Sequence, residues 1–223
     1  MSSTADRIAA AIEARDVEAV DELLAADPAA ADTSDGQGRS LVLLALFHGL
    51  RGAVTAILER RNAPLDGLEA AAVGRTDRLR ELLAADREAV LAARTWEGFD
   101  AIGLAAFLGG ADCVVALLEH GADPDGDPAN PFGVRPVHAA AAHRDAAAMR
   151  ALLEAGADPG ATQRGGLTPL HTAAHHDDVE IAELLLAHGA DPAPCAEDGR
   201  TPADLAAHDG GGRVAALLAA RVR

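Results

Sequence analysis

The chain has 223 residues, 49% of them hydrophobic and 24% charged, which suffices for one packed domain or one elongated array and excludes a disordered polypeptide. Its 35 acidic residues outweigh 19 basic ones, all of them Arg, and the formal charge of -16 argues against phosphate backbones and anionic lipid as partners. A basic partner or a neutral small molecule is compatible with that field. The longest apolar run, Leu41 to Phe47, is far short of the roughly 20 residues that cross a bilayer. Cys113 lies in an apolar run and Cys195 in a turn-like one, so no disulfide is expected. With no leader segment legible at the N-terminus, a reducing cytoplasm is the expected compartment.

Apolar residues are almost all Ala, Leu and Val, a set suited to closely packed helices. Taken in chain order they fall into seven similar units. The first two are "DRIAAAIEARDVEAVDELLAAD" from Asp6 and "RSLVLLALFHGLRGAVTAILERRNAP" with Ser40 at the equivalent place. A short third unit, "LDGLEAAAVGRTDRLRELLAAD", begins at Leu65, and "FDAIGLAAFLGGADCVVALLEHGADP" follows with Asp100. The last three are "VRPVHAAAAHRDAAAMRALLEAGADP" with Arg135, "LTPLHTAAHHDDVEIAELLLAHGADP" with Thr168, and "RTPADLAAHDGGGRVAALLAARVR" with Thr201. Successive marks are 34, 25, 35, 35, 33 and 33 residues apart, so residues are missing before Leu65 and added near "DPDGDPANPFG".

Each unit predicts the same structure. A polar or Thr-Pro start opens a short Ala-rich helix, where Pro suits the first turn. A break at Gly or Asp follows, then a second helix with Val and Leu at i, i+3 and i+4. Gly121, Gly156 and Gly189 are the expected left-handed stops, with Pro soon after. A short Ala helix cannot bury a face alone, so neighbouring units must stack into an all-α solenoid.

"TPLHTAAHHDDVEIAELLLAHGADP" strongly resembles the ankyrin repeat, whose T-P-L-H and G-A-D marks stand at Thr168 to His171 and Gly189 to Asp191. The resemblance spans essentially the whole chain, sharp from residue 99 onward and looser before. It implies helix pairs joined by finger-like turns, with fingers and first helices lining a concave face. It also implies that the residues missing between Leu58 and Leu65 remove most of one finger.

"LHTAAHHDDVE" has the look of a metal site, because His171 and His175 are four apart on a helix. The resemblance gives His171 and His138 another task, holding loops by hydrogen bonds. No Glu follows His171, and no phosphate loop or nucleophile elbow is present, so neither metal nor cofactor is expected. His48, His143, His175, His176 and His208 fall seven or eight residues after their unit marks. In the resembled family these are contact positions, as are those four, three and one residue before the mark.

All five aromatic side chains occupy such positions: Phe47, Trp96, Phe99, Phe107 and Phe132. Chance would place them so on the order of one time in 10⁴. A recognition patch is therefore expected around Trp96, Phe99, Phe107, Leu108 and Phe132, with Phe47, His143, His175, His176 and His208 as further contacts. Two functions fit it. One is a binding module for a protein with an apolar knob and basic rim, or for an apolar small molecule. The other is an enzyme in which His143, His176, Asp145 or Asp178 moves protons.

Overall fold

The computed structural model describes residues 2–127, 129–207 and 212–221, and among these the protein forms fourteen helices and no strand. They run in pairs: α1 (Thr4–Glu13) with α2 (Val17–Ala26), α3 (Leu41–Phe47) with α4 (Arg51–Arg60), and α5 (Gly67–Ala72) with α6 (Thr76–Ala92). Then come α7 (Ala101–Leu104), prolonged by a π-helical turn over Ala105–Gly109, with α8 (Ala111–Glu119), and α9 (Pro136–His143) with α10 (Ala146–Glu154). The last pairs are α11 (Pro169–His175) with α12 (Val179–Ala187) and α13 (Pro202–Ala207) with α14 (Arg213–Arg221). First helices stack on first helices and second helices on second helices, so the molecule is an all-α helical repeat solenoid.

Local chemistry sets the helix starts. Ser40 caps α3 through the Leu43 N–H at 3.3 Å, and Asp100 caps α7 through the Gly103 N–H at 2.8 Å. Asp16, Asp145 and Asp178 cap the second helices α2, α10 and α12 in the same way. The unit marks at Ser40, Asp100, Arg135 and Thr168 are all helix N-caps. In the two looser units the caps stand instead at Ser3 and Asp66, each in a capping box with the acid three residues on, Asp6 or Glu69. Asp6, read as a mark from sequence, is thus the third residue of its helix.

The inner layer is tight because its residues are small. Pro136 to Ala141 are all buried, as are Ala70 to Ala72 and Ala101 to Ala106. The tightest approach is at Gly109, where a Cβ would fall inside the Ala71 carbonyl oxygen; no other residue fits there, and its absence of a side chain lets the π-turn settle on α5.

Fingers repeat one hydrogen-bond pattern. In each, an N–H bonds the carbonyl four residues on, as Asp35 with Arg39, Thr95 with Phe99, Gln163 with Leu167 and Ala196 with Arg200. In the enlarged fourth finger the Asn130 side chain takes over this pairing, donating to the Val134 carbonyl at 2.8 Å and accepting from the Val134 and Phe132 N–H groups. Only residues 61 to 66 join α4 to α5, too few for a finger. There the buried Glu69 carboxylate accepts from Ser40 Oγ at 2.6 Å and pairs with Arg61 at 2.9 Å, while Asp32 takes the Asn62 and Ala63 N–H groups, both at 2.7 Å. Helix α6 also departs from the simple pattern. It kinks at Asp86 (φ -153°) and ends in a turn whose Val90 lies buried over Gly67.

Candidate functional site

Trp96, Glu97 and Phe99 stand on the Thr95–Phe99 finger, closed by Thr95 N–H to Phe99 C=O at 2.9 Å and Gly98 N–H to Thr95 C=O at 3.0 Å. Gly98 holds φ +82°, and a Cβ there would meet the Ala129 backbone of the next finger at 3.0 Å. Backbone closeness between two fingers therefore fixes where the rings go. Trp96 packs edge-on against Phe47 at the end of α3, centroids 5.4 Å apart, and Phe99 lies 5.7 Å from the same ring. Phe107, on the π-turn, meets His143 edge-on at 6.4 Å.

Beside these contacts lies a hollow of about 250 Å³. Phe47, Phe99, Phe107 and Phe132 line it with Leu104 and Val134, and its polar lining includes Glu97, His138, Gln163 and Thr172. Trp96, Phe107 and Phe132 remain 40%, 42% and 49% exposed, unusual for rings of this size and consistent with a surface kept open. On the other side of Phe47 and Phe107 lies a wider hollow of about 590 Å³, lined by Leu46, Leu50, Val54, Leu108, His143, Arg51 and Arg75 among others. It lies between the second and third units, against α4 and the turns that follow α3 and α5.

Thus Phe47, Trp96, Phe99, Phe107 and Phe132 come together, with Leu108 and His143 facing the adjoining hollow. His175 and His176 do not join them. Their rings pack on each other at 5.1 Å, both are exposed, and the contribution of α11 to the smaller hollow is Thr172. His208 lies outside the described residues. Sequence reasoning passed over Glu97, although it sits three residues before Asp100 and so met the same positional rule as the rings.

The metal-like motif dissolves into scaffold chemistry. His171 Nδ1 accepts from the Thr168 N–H at 3.1 Å and its Nε2 faces the Arg200 carbonyl at 3.1 Å; His138 repeats this with the Arg135 N–H and the Leu167 carbonyl. Both imidazoles are spent on two loops. Burial holds His138 at a pKa of about 4, against the pull of the Leu167 carbonyl, and lowers His171 in the same sense. Asp177 accepts the Val214 N–H at 2.9 Å and Asp178 caps α12 while pairing with Arg144 at 3.0 Å. Asp145 is likewise a cap, so neither of the two acids considered for proton transfer lines the aromatic hollow. Among the described residues no three of His, Cys, Asp and Glu are placed to hold a metal ion. Cys113 is buried with Thr76 Oγ1 3.3 Å from its sulfur, and burial pushes the thiol up.

No helix among the described residues is long and apolar enough to cross a membrane. A search of curated proteins returns no match. The family model described as ankyrin repeats (3 copies) matches residues 68–163 and again 137–222, together well over half of the chain. With helix pairs, fingers and T-P-L-H histidines all in place, the chain belongs to the ankyrin-repeat family, whose repeats are generally protein–protein interaction modules.

Proposed function

We propose that this protein captures a protein partner on its aromatic patch, with Trp96, Phe99, Phe107 and Phe132 as anchors and Phe47 as their support. The observation that carries the reading is the open ring cluster: five aromatic side chains, the whole complement of the chain, border one hollow or touch a ring that does. Binding energy concentrates on such anchors, and the net charge of -16 steers a partner with a basic rim toward them. The array is proposed to run the full length as one domain, α1 to α4 adding two units before the matched region. Two thiols without a disulfide, Cys113 and Cys195, suit a cytoplasmic setting.

The test is affinity capture with mass spectrometry, comparing the native protein with Trp96→Ala/Phe107→Ala. Both side chains are substantially exposed, so the double variant is expected to fold. A partner recovered by the native protein should fall at least about tenfold with the variant. Equal recovery by both would remove the patch from the account.

A further inference from the structure

The smaller hollow carries more information than an apolar patch would, because of what stands at its edge. Among its lining residues Glu97 is the only carboxylate, and among the described residues Glu97 makes no ion pair. The nearby Arg94 does not neutralise it: that guanidinium is turned to Asp127 and to the Leu91 and Ala93 carbonyls. Glu97 is exposed at the edge of the hollow, so an apolar occupant would leave its charge unanswered, whereas a cationic one would be attracted to it. The occupant that the walls favour therefore brings its own positive charge.

We infer that the hollow receives a single arginine side chain of the partner protein, its stem and guanidinium plane among Phe47, Phe99, Phe107 and Phe132 and its N–H fork on the Glu97 carboxylate. The inference rests on the partner-binding reading and deepens it: the knob itself is the cation. Size agrees, since about 250 Å³ is below the roughly 300–1,000 Å³ of pockets for drug-sized molecules and matches one side chain. Ring faces carry negative electrostatic potential and attract cations, arginine more often than lysine. Lysine is also the poorer fit because its ammonium is compact and strongly hydrated, whereas guanidinium is planar, weakly hydrated and matches a carboxylate with two parallel bonds. The Gln163 amide oxygen and Thr172 hydroxyl supply acceptors for the remaining donors. His138 does not oppose the charge, since burial keeps its imidazole neutral at physiological pH.

Trp96 is the only tryptophan, and its indole rests on Phe47 of the hollow, so its N–H resonance reports occupancy without a label at the site. The full-length protein is titrated with acetyl-Gly-Arg-Gly-amide and with the same peptide carrying citrulline, norleucine or trimethyllysine in place of Arg. The arginine peptide is expected to give a saturable shift, with citrulline, its uncharged isostere, at least about tenfold weaker. Glu97→Gln, at an exposed position, should erase the preference of arginine over citrulline while leaving the rest of the spectrum unchanged. Equal binding of arginine and citrulline, stronger binding of norleucine or trimethyllysine, the absence of any saturable shift, or an unchanged preference in Glu97→Gln would each overturn the assignment. If any of these occurs while Trp96→Ala/Phe107→Ala still loses its partner, the arginine assignment falls and the patch stands. If the aromatic variant keeps its partner, the patch reading has failed instead.

Discussion

His138 can be charged only by adding a proton to Nδ1, the nitrogen that already accepts the Arg135 N–H, so protonation and the loop's hydrogen bond exclude each other. Its folded pKa of about 4 lies below the ordinary value near 6.5. The unfolded chain therefore takes up the proton first. This contribution to stability is complete above about pH 6.5 and is lost as pH falls toward 4, on the order of 3 kcal/mol for His138. His171 adds a loss of the same sign. Urea midpoints measured from pH 7 to 4 should fall more steeply for the native protein than for His138→Gln, which cannot titrate. Parallel curves would show that this histidine is charged in the folded state. The role of these two residues was legible in the sequence through the resemblance; their lowered pKa values were not, because they come from burial beneath neighbouring units, which outweighs the pull of the carbonyls 29 residues away.

At the scale of elements, the informative place is the link where a finger is lost. Residues missing before Leu65 were visible as a 25-residue spacing, but nothing in the spacing shows how two units remain joined without the turn. The structure answers with one buried carboxylate. Glu69 holds Ser40 of α3's cap, Arg61 of the link and the N–H of Asp66 that opens α5, tying three segments through one side chain. A Glu in the otherwise apolar run "LEAAAV" was the available signal. Arg61→Ala would leave that carboxylate buried without its cation, and a loss of about 3 kcal/mol is expected by chemical denaturation. A loss under about 1 kcal/mol would mean that Ser40 and the Asp66 N–H hold Glu69 well enough alone. The π-turn is the other feature hidden from sequence. "GLAAFLGG" reads as the end of a short helix, whereas the π-turn sets Gly109 against the Ala71 carbonyl and carries Phe107, which lines both hollows, and Leu108, which lines the wider one.

Over the whole molecule the core is not continuous. One cluster runs from Ala5 to Ile57 and a larger one joins Leu43 to Leu68 and on to Leu218. Consecutive second helices pack together along the array, yet α4 and α6 meet at most marginally. In a solenoid, stability is a sum of units and nearest-neighbour contacts, so a weak contact marks a place where unfolding divides. Native-state hydrogen exchange should show amides of α1 to α4 opening at lower free energy than those of α8 to α12. One shared opening energy across all helices would refute this division. The wider hollow, with Leu50, Val54 and Leu108 on its walls, sits at that same boundary, so motion there would change the surface beside the aromatic anchors.

The sequence alone determined the period, the helix pairs, the stops at Gly121, Gly156 and Gly189, and the unit positions of all five aromatic residues. Those properties are local: caps, turn residues and helical spacing act within one unit, and repetition makes them legible several times over. Only the tertiary structure decided which of the marked residues share a space. Phe47 and Phe132, 85 positions apart in the chain, border one hollow with Glu97, which makes no ion pair among the described residues, whereas His175 and His176, at equally regular positions, stand outside it. The reason is that a hollow forms between units, where close backbone approaches at Gly98 and Gly109, the enlarged fourth finger and the missing finger before Leu65 set the gaps, and none of those distances is encoded in the period.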